Sequence, residues 1–404
     1  MRAQTIPLDE AFWFQEGPGV RKWQFTTSGI KLLNVGNICL NGGLDLSKTD
    51  RCLSREEVEK RYKHFLVDEG DLVIASSGIS FDDDGLLRTR GVFVERSHLP
   101  LCLNTSTIRF KPKGENDLRY LRYWLDSHEF RSQITRLVTG SAQQNFGPSH
   151  LESIGISLPS LSEQQRIAGL LEQADRLRRT RRYALELSDT FLPAAFLELF
   201  GDPAKPRWPL VSLGEMITTG PQNGLYKPAT AYGSGTPIVR IDAYQNGEAI
   251  DFTELKRVRL SPEEEETYGL AAGDFLINRV NSRSHLGKST LVPKLPEPTV
   301  FESNMMRFRV SESALVSAYA LKFLQTRFLN AQIQKQAKDA SNQSSINQDD
   351  VEGFAILRPP LPLQQQFAAL VERHQHLRAT QREALRQAEH LFQSLLHRAF
   401  NHES

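Results

Sequence analysis

Residues 159 to 200, PSLSEQQRIAGLLEQADRLRRTRRYALELSDTFLPAAFLELF, lie without a gap on residues 359 to 400, PPLPLQQQFAALVERHQHLRATQREALRQAEHLFQSLLHRAF. The shift is 200 positions, 364 − 164, and Pro159, Leu161, Gln164, Gln165, Ala168, Leu170, Glu172, Leu177, Arg178, Arg182, Ala184, Leu185 and Phe200 all recur. A repeat of about half the chain fixes the architecture before any element is assigned. Each copy carries an apolar stripe at helical spacing: Ile167, Leu170, Ala174, Leu177, Ala184 and Phe191 in the first, Phe367, Leu370, Leu377, Ala384 and Leu391 in the second. A helix of about 40 residues extends about 60 Å, and the obvious partner for each stripe is the other. We expect Ile167, Leu170, Leu177, Phe191, Phe367, Leu370, Leu377 and Leu391 to form that seam. Ser162 with Gln165 reads as a capping box, Gly201-Asp202-Pro203 as a stop, and Pro193 as a kink.

The correspondence continues upstream. EGDLVIASSG at 69–78 resembles AGDFLINRVN at 272–281, STIRF at 106–110 resembles NMMRF at 304–308, and the run from Tyr120 parallels that from Tyr319. Each half therefore reads as a mixed α/β domain followed by a long helix. The expected class is α+β: two tandem domains at 1–158 and 202–358, with helices at 159–201 and 359–404 pairing as an antiparallel coiled coil. The less favoured reading leaves each helix packed on its own domain.

Composition narrows the function. The chain has 404 residues, 39% hydrophobic and 24% charged, with no apolar run near the roughly 20 residues that span a bilayer. Its start, MRAQTIPLDEAFWF, lacks the pattern of a secretory signal, so a cytoplasmic location is expected. Cys39, Cys52 and Cys102 read as reduced packing residues. The 49 basic and 48 acidic side chains nearly cancel, so local patches must decide any binding to an anionic polymer.

Catalytic motifs fail on inspection. SRSHLGKST at 282–290 ends like a phosphate loop, but Ser282 stands where the pattern needs glycine. Asp82, Asp83 and Asp84 read as a turn rather than a metal site, and His374, His376, His390 and His397 lack metal-ligand spacing. No metal site and no catalytic residue is expected in this chain.

Loops that mix cations with amides and hydroxyls fit the chemistry of sequence readers, which contact phosphates and base edges. In the first half these are Arg21 and Lys22 after the EGPG turn, Ser76 and Ser77 after a strand, Arg88 and Arg90, and Gln143, Gln144 and Asn145. Their counterparts are Gln222, Asn223, Tyr226 and Lys227, then Arg279, Asn281, Ser282, Arg283 and Lys288, then Asn342, Gln343 and Ser344. An ordinary solvated loop is the competing reading for each cluster, and Gln143 and Gln343 have a further alternative role in fixing a loop. Tandem copies with antiparallel terminal helices imply an approximate two-fold, which matches duplex DNA. Because the loops differ between halves, the half-sites should differ too, with helix length setting the gap.

LPSLSEQQRIAGLLEQADRLRRTRR followed by FLELFGDP resembles the central region of Type I restriction-modification specificity subunits, and LPLQQQFAALVERHQHLR their distal one. AFWFQEGPGVRKWQF with GIKLLNVGNI, and TTGPQNGLYKP with TPIVRIDAY, are similar to the openings of that family's target-recognition domains. The resemblance implies a non-catalytic subunit that reads split double-stranded DNA. It also implies assembly with two methyltransferase subunits and with motor-nuclease subunits, where S-adenosylmethionine, ATP and Mg²⁺ would reside; no cofactor is expected on this chain. The alternatives are a two-domain protein-binding adaptor and a self-sufficient DNA-modifying enzyme with diverged motifs.

Overall fold

The computed structural model describes residues 4–39, 42–78, 80–82, 85–138, 145–245, 247–340 and 343–400. Gln143, Gln144, Asn342, Asp83 and Asp84 lie outside the described residues. The chain divides into two compact units, the described parts of Met1–Ala184 with Gln381–Ser404, and Leu185–Thr380. Both divisions fall inside long helices, so each unit holds the opening of one helix and the closing part of the other.

Strand order is the same in the two units. In the first, an antiparallel four-stranded sheet runs Phe12–Glu16, Thr107–Pro112, Leu72–Ala75, Gly91–Phe93; in the second, Ile217–Asn223, Met305–Val310, Phe275–Asn278, Ser289–Leu291. The inner strand LVIA is buried throughout because both its faces are covered. Leu72 and Ile74 face a large helical core, whereas Val73 and Ala75 face a smaller one with Leu33, Leu101 and Leu103. Phe275 and Ile277 likewise oppose Leu276. That smaller core is closed by a three-stranded sheet, Cys52–Leu53, Ile30–Leu33, Leu101–Leu103, matched by Lys256–Val258, Tyr232–Val239, Val300–Phe301. Each unit is thus three layers: helices, a four-stranded sheet and a small mixed sheet. The second unit also carries a ribbon of Val280–Asn281, Gln343–Ser345 and Lys338–Ala340.

The repeated sequence positions fasten helix to domain. Buried Gln164 accepts from Asp117 N at 3.0 Å and donates to Pro159 O at 3.0 Å; buried Gln364 accepts from Val316 N and donates to Pro359 O at 2.9 and 2.8 Å. Tyr120 and Tyr319 donate to Ser157 O and Leu357 O. Gln133 bonds both backbone groups of Gly155, and Gln332 both of Ala355. An unpaired buried amide costs about 1–3 kcal/mol, so these pairings account for the identity of the repeated glutamines.

The helices run antiparallel within each unit. Arg178 stacks on Phe392 at 3.8 Å and Arg182 pairs with Glu389 at 2.7 Å, while Ile167, Ala168, Leu171 and Ala174 share a core with Phe392, Leu396 and Phe400. In the second unit His374 bonds Ser188 O, Arg378 pairs with Asp189 at 2.6 Å, and Leu192, Phe196 and Phe200 share a core with Phe367 and Val371. Arg178 and Arg179 also hold the buried Asp175 carboxylate. These charges serve the fold itself.

Three expectations about the helices need correction. Of the eight seam residues, Ile167 and Phe367 are buried, Leu370 is half-buried, and Phe191, although partly exposed, stacks on His374 of the other helix at 5.5 Å, but Leu170, Leu177, Leu377 and Leu391 are exposed, Leu377 by 59%. The buried face instead follows 164, 167, 168, 171, 174 and 175, and 388, 392, 396 and 400. That is the stripe of a straight helix lying on a domain as well as on a partner, not a narrow two-helix seam. The first helix is also two pieces, Leu161–Ser188 and Phe191–Phe200. Pro193 sits in the first turn of the second piece, where its missing N–H is no loss, and its ring would clash with the carbonyl four residues back, at Asp189, where the break lies. Ser188 and Thr190 hydroxyls cap Leu185 O and Leu187 O there. Lacking such a proline, Leu361–Phe400 is one helix of 40 residues. Finally, Ser162 is not a cap: the helix begins at Leu161, and the Ser162 hydroxyl lies 3.1 Å from that of Ser160. Gly201, at φ 78°, ends the helix as expected.

Candidate nucleic-acid interface

Strand register makes positions in the two units equivalent. Leu33 pairs with Leu103 as Val239 pairs with Phe301, so Asn34 corresponds to Arg240 and Asn104 to Glu302. Lys31 pairs with Cys52 as Pro237 pairs with Arg257, so Arg51 corresponds to Lys256. Gly17 N donates to Thr107 O and Gly224 N to Met305 O. A Cβ at either glycine would collide with the backbone of Asn104 or Glu302, so only glycine lets the chain cross so closely over these strand ends.

This crossing shapes a cleft in each unit. The first, about 580 Å³, is lined by Val20, Phe25, Asn34, Lys48, Arg51, Asn104, Thr105 and Ser106 among others. The second, about 500 Å³, is lined by Tyr226, Lys227, Tyr232, Arg240, Lys256, Glu302, Ser303 and Asn304 among others. In the first cleft Asn104 Nδ2 donates to Asn34 Oδ1 at 2.6 Å, and Asn34 Nδ2 donates to Leu32 O at 3.0 Å. Arg51 lies over the Phe25 ring at 5.2 Å. In the second cleft Glu302 accepts from Ile241 N at 2.8 Å, with its other oxygen 3.4 Å from Arg240 Nε. Burial pushes the Glu302 carboxyl above its ordinary range, against the opposing pull of Ile241 N and Arg240.

The loops after the inner strands are tied to these clefts. Ser76 N donates to Ser106 O at 3.0 Å, while Arg279 N donates to Asn304 O at 2.8 Å and Arg279 Nη1 to Ser303 O at 3.0 Å. The structure therefore brings together, in each unit, the turn after the glycine and the loop after the inner strand. Arg21, Lys22, Asn223 and Tyr226 are exposed on or beside that turn, with Tyr226 78% and neighbouring Trp23 76% accessible. Ser77 is half-buried, Arg88 and Asn145 are exposed, and Arg90 donates to Gly78 O at 3.2 Å.

Other expected contact residues are committed to the fold. Lys288 is buried, donates to Ile241 O and Tyr244 O, and lies 4.7 Å over the Tyr244 ring, so its ammonium points into the protein; burial lowers its pKa. Gln222 is held by Arg307 and donates to Thr267 O, repeating the hold of Arg109 on Gln15. Ser76 is buried, and buried Ser344 donates to Asp339. Arg283 bonds Gln334 and pairs with Asp339 at 3.3 Å, and Lys227 pairs with Glu264 at 2.6 Å. Asn281 caps Ser282 N, the Ser282 hydroxyl lies 2.9 Å from His285 Nδ1, and Gln343 is exposed on the ribbon of the second unit. Asp82 accepts from Leu86 N and pairs with Arg131, as a turn residue does. Cys102 is buried, its thiol pushed up to about 12. Asn34, Lys48, Arg51, Asn104, Arg240, Lys256 and Glu302 are the cleft residues that sequence reasoning missed.

Comparison with known proteins matches this chain, over residues 31–187 and 207–388, to the family described as Type I restriction modification DNA specificity domain. It is 26% identical over 302 residues to the Type I restriction enzyme StySPI specificity subunit of Salmonella potsdam, and 26% over 303 residues to the EcoKI specificity subunit of Escherichia coli (strain K12). Each alignment spans 70% of this chain and 65% of the relative, so the chain matches somewhat less than two thirds of those proteins' length. The fold is similar to that of a Type I restriction-modification S subunit from M. genitalium, at a TM-score of 0.58 and 16% identity, covering 99% of this chain and 96% of that one. A second solved chain, from work on assembly of the type I R-M system, gives 0.56 at 17% identity, covering 100% and 98%. With the family model matched once in each half, the chain belongs to the Type I restriction modification DNA specificity family.

Proposed function

We propose that this chain is the non-catalytic, sequence-reading subunit of a Type I restriction-modification assembly. Each unit reads one half of an asymmetric, interrupted site in double-stranded DNA, and the shared helices set the gap. Two methyltransferase subunits and motor-nuclease subunits do the chemistry, with S-adenosylmethionine, ATP and Mg²⁺ bound on them. The setting is the cytoplasm; among the described residues no helix is long and apolar enough to cross a membrane.

The observation that carries this reading is the pair of register-equivalent clefts lined by different side chains. One scaffold used twice with altered lining is what two unlike half-sites require, since groove edges differ in their donors and acceptors. Family membership supports it independently.

Titration of the full chain with duplex carrying its site, across a salt series, tests the proposal. Affinity should fall linearly on logarithmic axes, with a slope of about −0.9 per phosphate contact. Absence of duplex binding at low salt, with partner subunits still bound, would identify an adaptor instead. Methylation by the chain alone with S-adenosylmethionine, or cleavage with Mg²⁺, would equally defeat it.

A further inference from the structure

The two clefts differ at a matched pair of positions. Asn34 and Asn104 form a neutral amide couple in the first, and Arg240 and Glu302 an ion pair in the second. Beside each couple, at equivalent register, stands a cation: Arg51 in one unit and Lys256 in the other, both exposed. What repeats is a charge suited to the phosphate backbone, which is the same at every site; what changes is the group able to tell one base pair from another.

Resting on the DNA-reading function proposed above, we infer that the two couples are the base-pair selectors of their units, Asn34 with Asn104 for an A·T pair and Arg240 with Glu302 for a G·C pair. The chemistry follows from the edges in the major groove. An amide matches adenine, donating to N7 and accepting from N6. The guanidinium fork matches guanine N7 and O6, while a carboxylate accepts from cytosine N4. In the second cleft Arg240 Nε is buried without a hydrogen-bond partner among the described residues, although Glu302 lies 3.4 Å away. The ion pair is therefore not locked by an aligned hydrogen bond: Arg240 is open to a competing ligand, while Glu302, buried and holding Ile241 N at 2.8 Å, turns its second oxygen towards Arg240. In the first, Asn34 Nδ2 is committed to Leu32 O and Asn34 Oδ1 to Asn104, while Asn104 Oδ1 accepts, among the described residues, only the exposed hydroxyl of its neighbour Thr105 at 3.1 Å, so Asn104, at the cleft wall, is the amide that a base edge can engage in exchange for those contacts.

The alternative is that both couples are latches closing the strand ends, with no role in selection. Exchange decides between them. Arg240→Asn with Glu302→Asn places the first couple in the second unit; the full chain, assembled with its partner subunits in a host, is read out by sequencing methylated genomic DNA. One base pair of the half-site read by the second unit should change from G·C to A·T, a discrimination of about tenfold to a hundredfold. The other half-site and the gap should not change. An unaltered motif at normal methylation overturns the assignment. Should the double variant lose methylation, Glu302→Gln, which keeps size and shape, decides: relaxed choice at one base pair upholds the selector, and an unchanged motif refutes it. Failure of the unmodified chain to give any split motif would count against the DNA-reading function itself, separately from the couples.

Discussion

The anion at the start of each inner strand and the couple in each cleft show opposite behaviour between the two units. Asp71 accepts from Asp68 N at 2.9 Å and sits 3.5 Å from both Arg109 and Lys111; Asp274 accepts from Ala271 N at 2.8 Å and pairs with Arg309 at 2.7 Å and Arg307 at 4.0 Å. Arg109 spreads onto His64 O, Leu66 O and Gln15, and Arg307 onto Thr267 O, Gly269 O and Gln222. The same knot is tied twice, with Arg309 standing where the first unit has Lys111. At the strand ends of the small mixed sheets, by contrast, Asn34 and Asn104 become Arg240 and Glu302. Repetition marks what the fold needs, and divergence at fixed register marks what the sites are for.

Five substitutions would break or sharpen that contrast. Phe196→Ala should cost most, about 3–5 kcal/mol in chemical denaturation, because its ring packs against Tyr319, Phe323, Phe367 and Phe200 in the second core. Next comes Asp274→Asn, which strands Arg307 and Arg309 and should destabilise by about 3 kcal/mol, with Asp71→Asn matching it. A much smaller loss from one of the two would mean that the knots are not equivalent.

A smaller effect is expected from Glu302. Its folded-state carboxyl titrates above the ordinary value because of burial, so the folded chain holds the proton more tightly than the unfolded chain. Stability should therefore decline as pH rises from the normal carboxylate range through the raised value, and Glu302→Gln should remove that decline. Melting temperature against pH for both forms measures it; identical profiles would show that the group is not desolvated in solution. Least of all, Leu377→Ala should stay within about 0.5 kcal/mol, since that side chain is 59% exposed despite its place in the repeat. A loss near that of Phe196→Ala would restore the narrow two-helix seam.

The architecture was legible because gapless repetition is a global signal. The period and a long helical segment closing each half follow from it; the stop was read from Gly201-Asp202-Pro203, and matching EGDLVIASSG with AGDFLINRVN takes a small slip, a shift of 203 rather than 200. Which face of each helix is buried was not legible, because a helix that packs on a domain and on another helix buries more than a heptad seam: Leu170 and Leu377 look like seam residues, yet Leu171 and Val371 take the core. The cleft lay half hidden for a related reason. KLLN and PIVR stand in the matched openings, so the change from Asn34 to Arg240 was visible in principle. Their partners Asn104 and Glu302 come from a parallel strand some 60 to 70 residues away, and only register brings them together. Lys288 failed in the opposite sense: a lysine after a glycine suggested a phosphate contact, but two carbonyls of the neighbouring loop claim its ammonium.

Sequencing the modified bases of a host genome with and without this chain tests most directly whether two unlike readers share one scaffold. Methylation that depends on the chain and falls on a single motif with two different halves separated by unspecified base pairs is the expected result. A contiguous motif, two identical halves, or methylation unchanged by loss of the chain would contradict it.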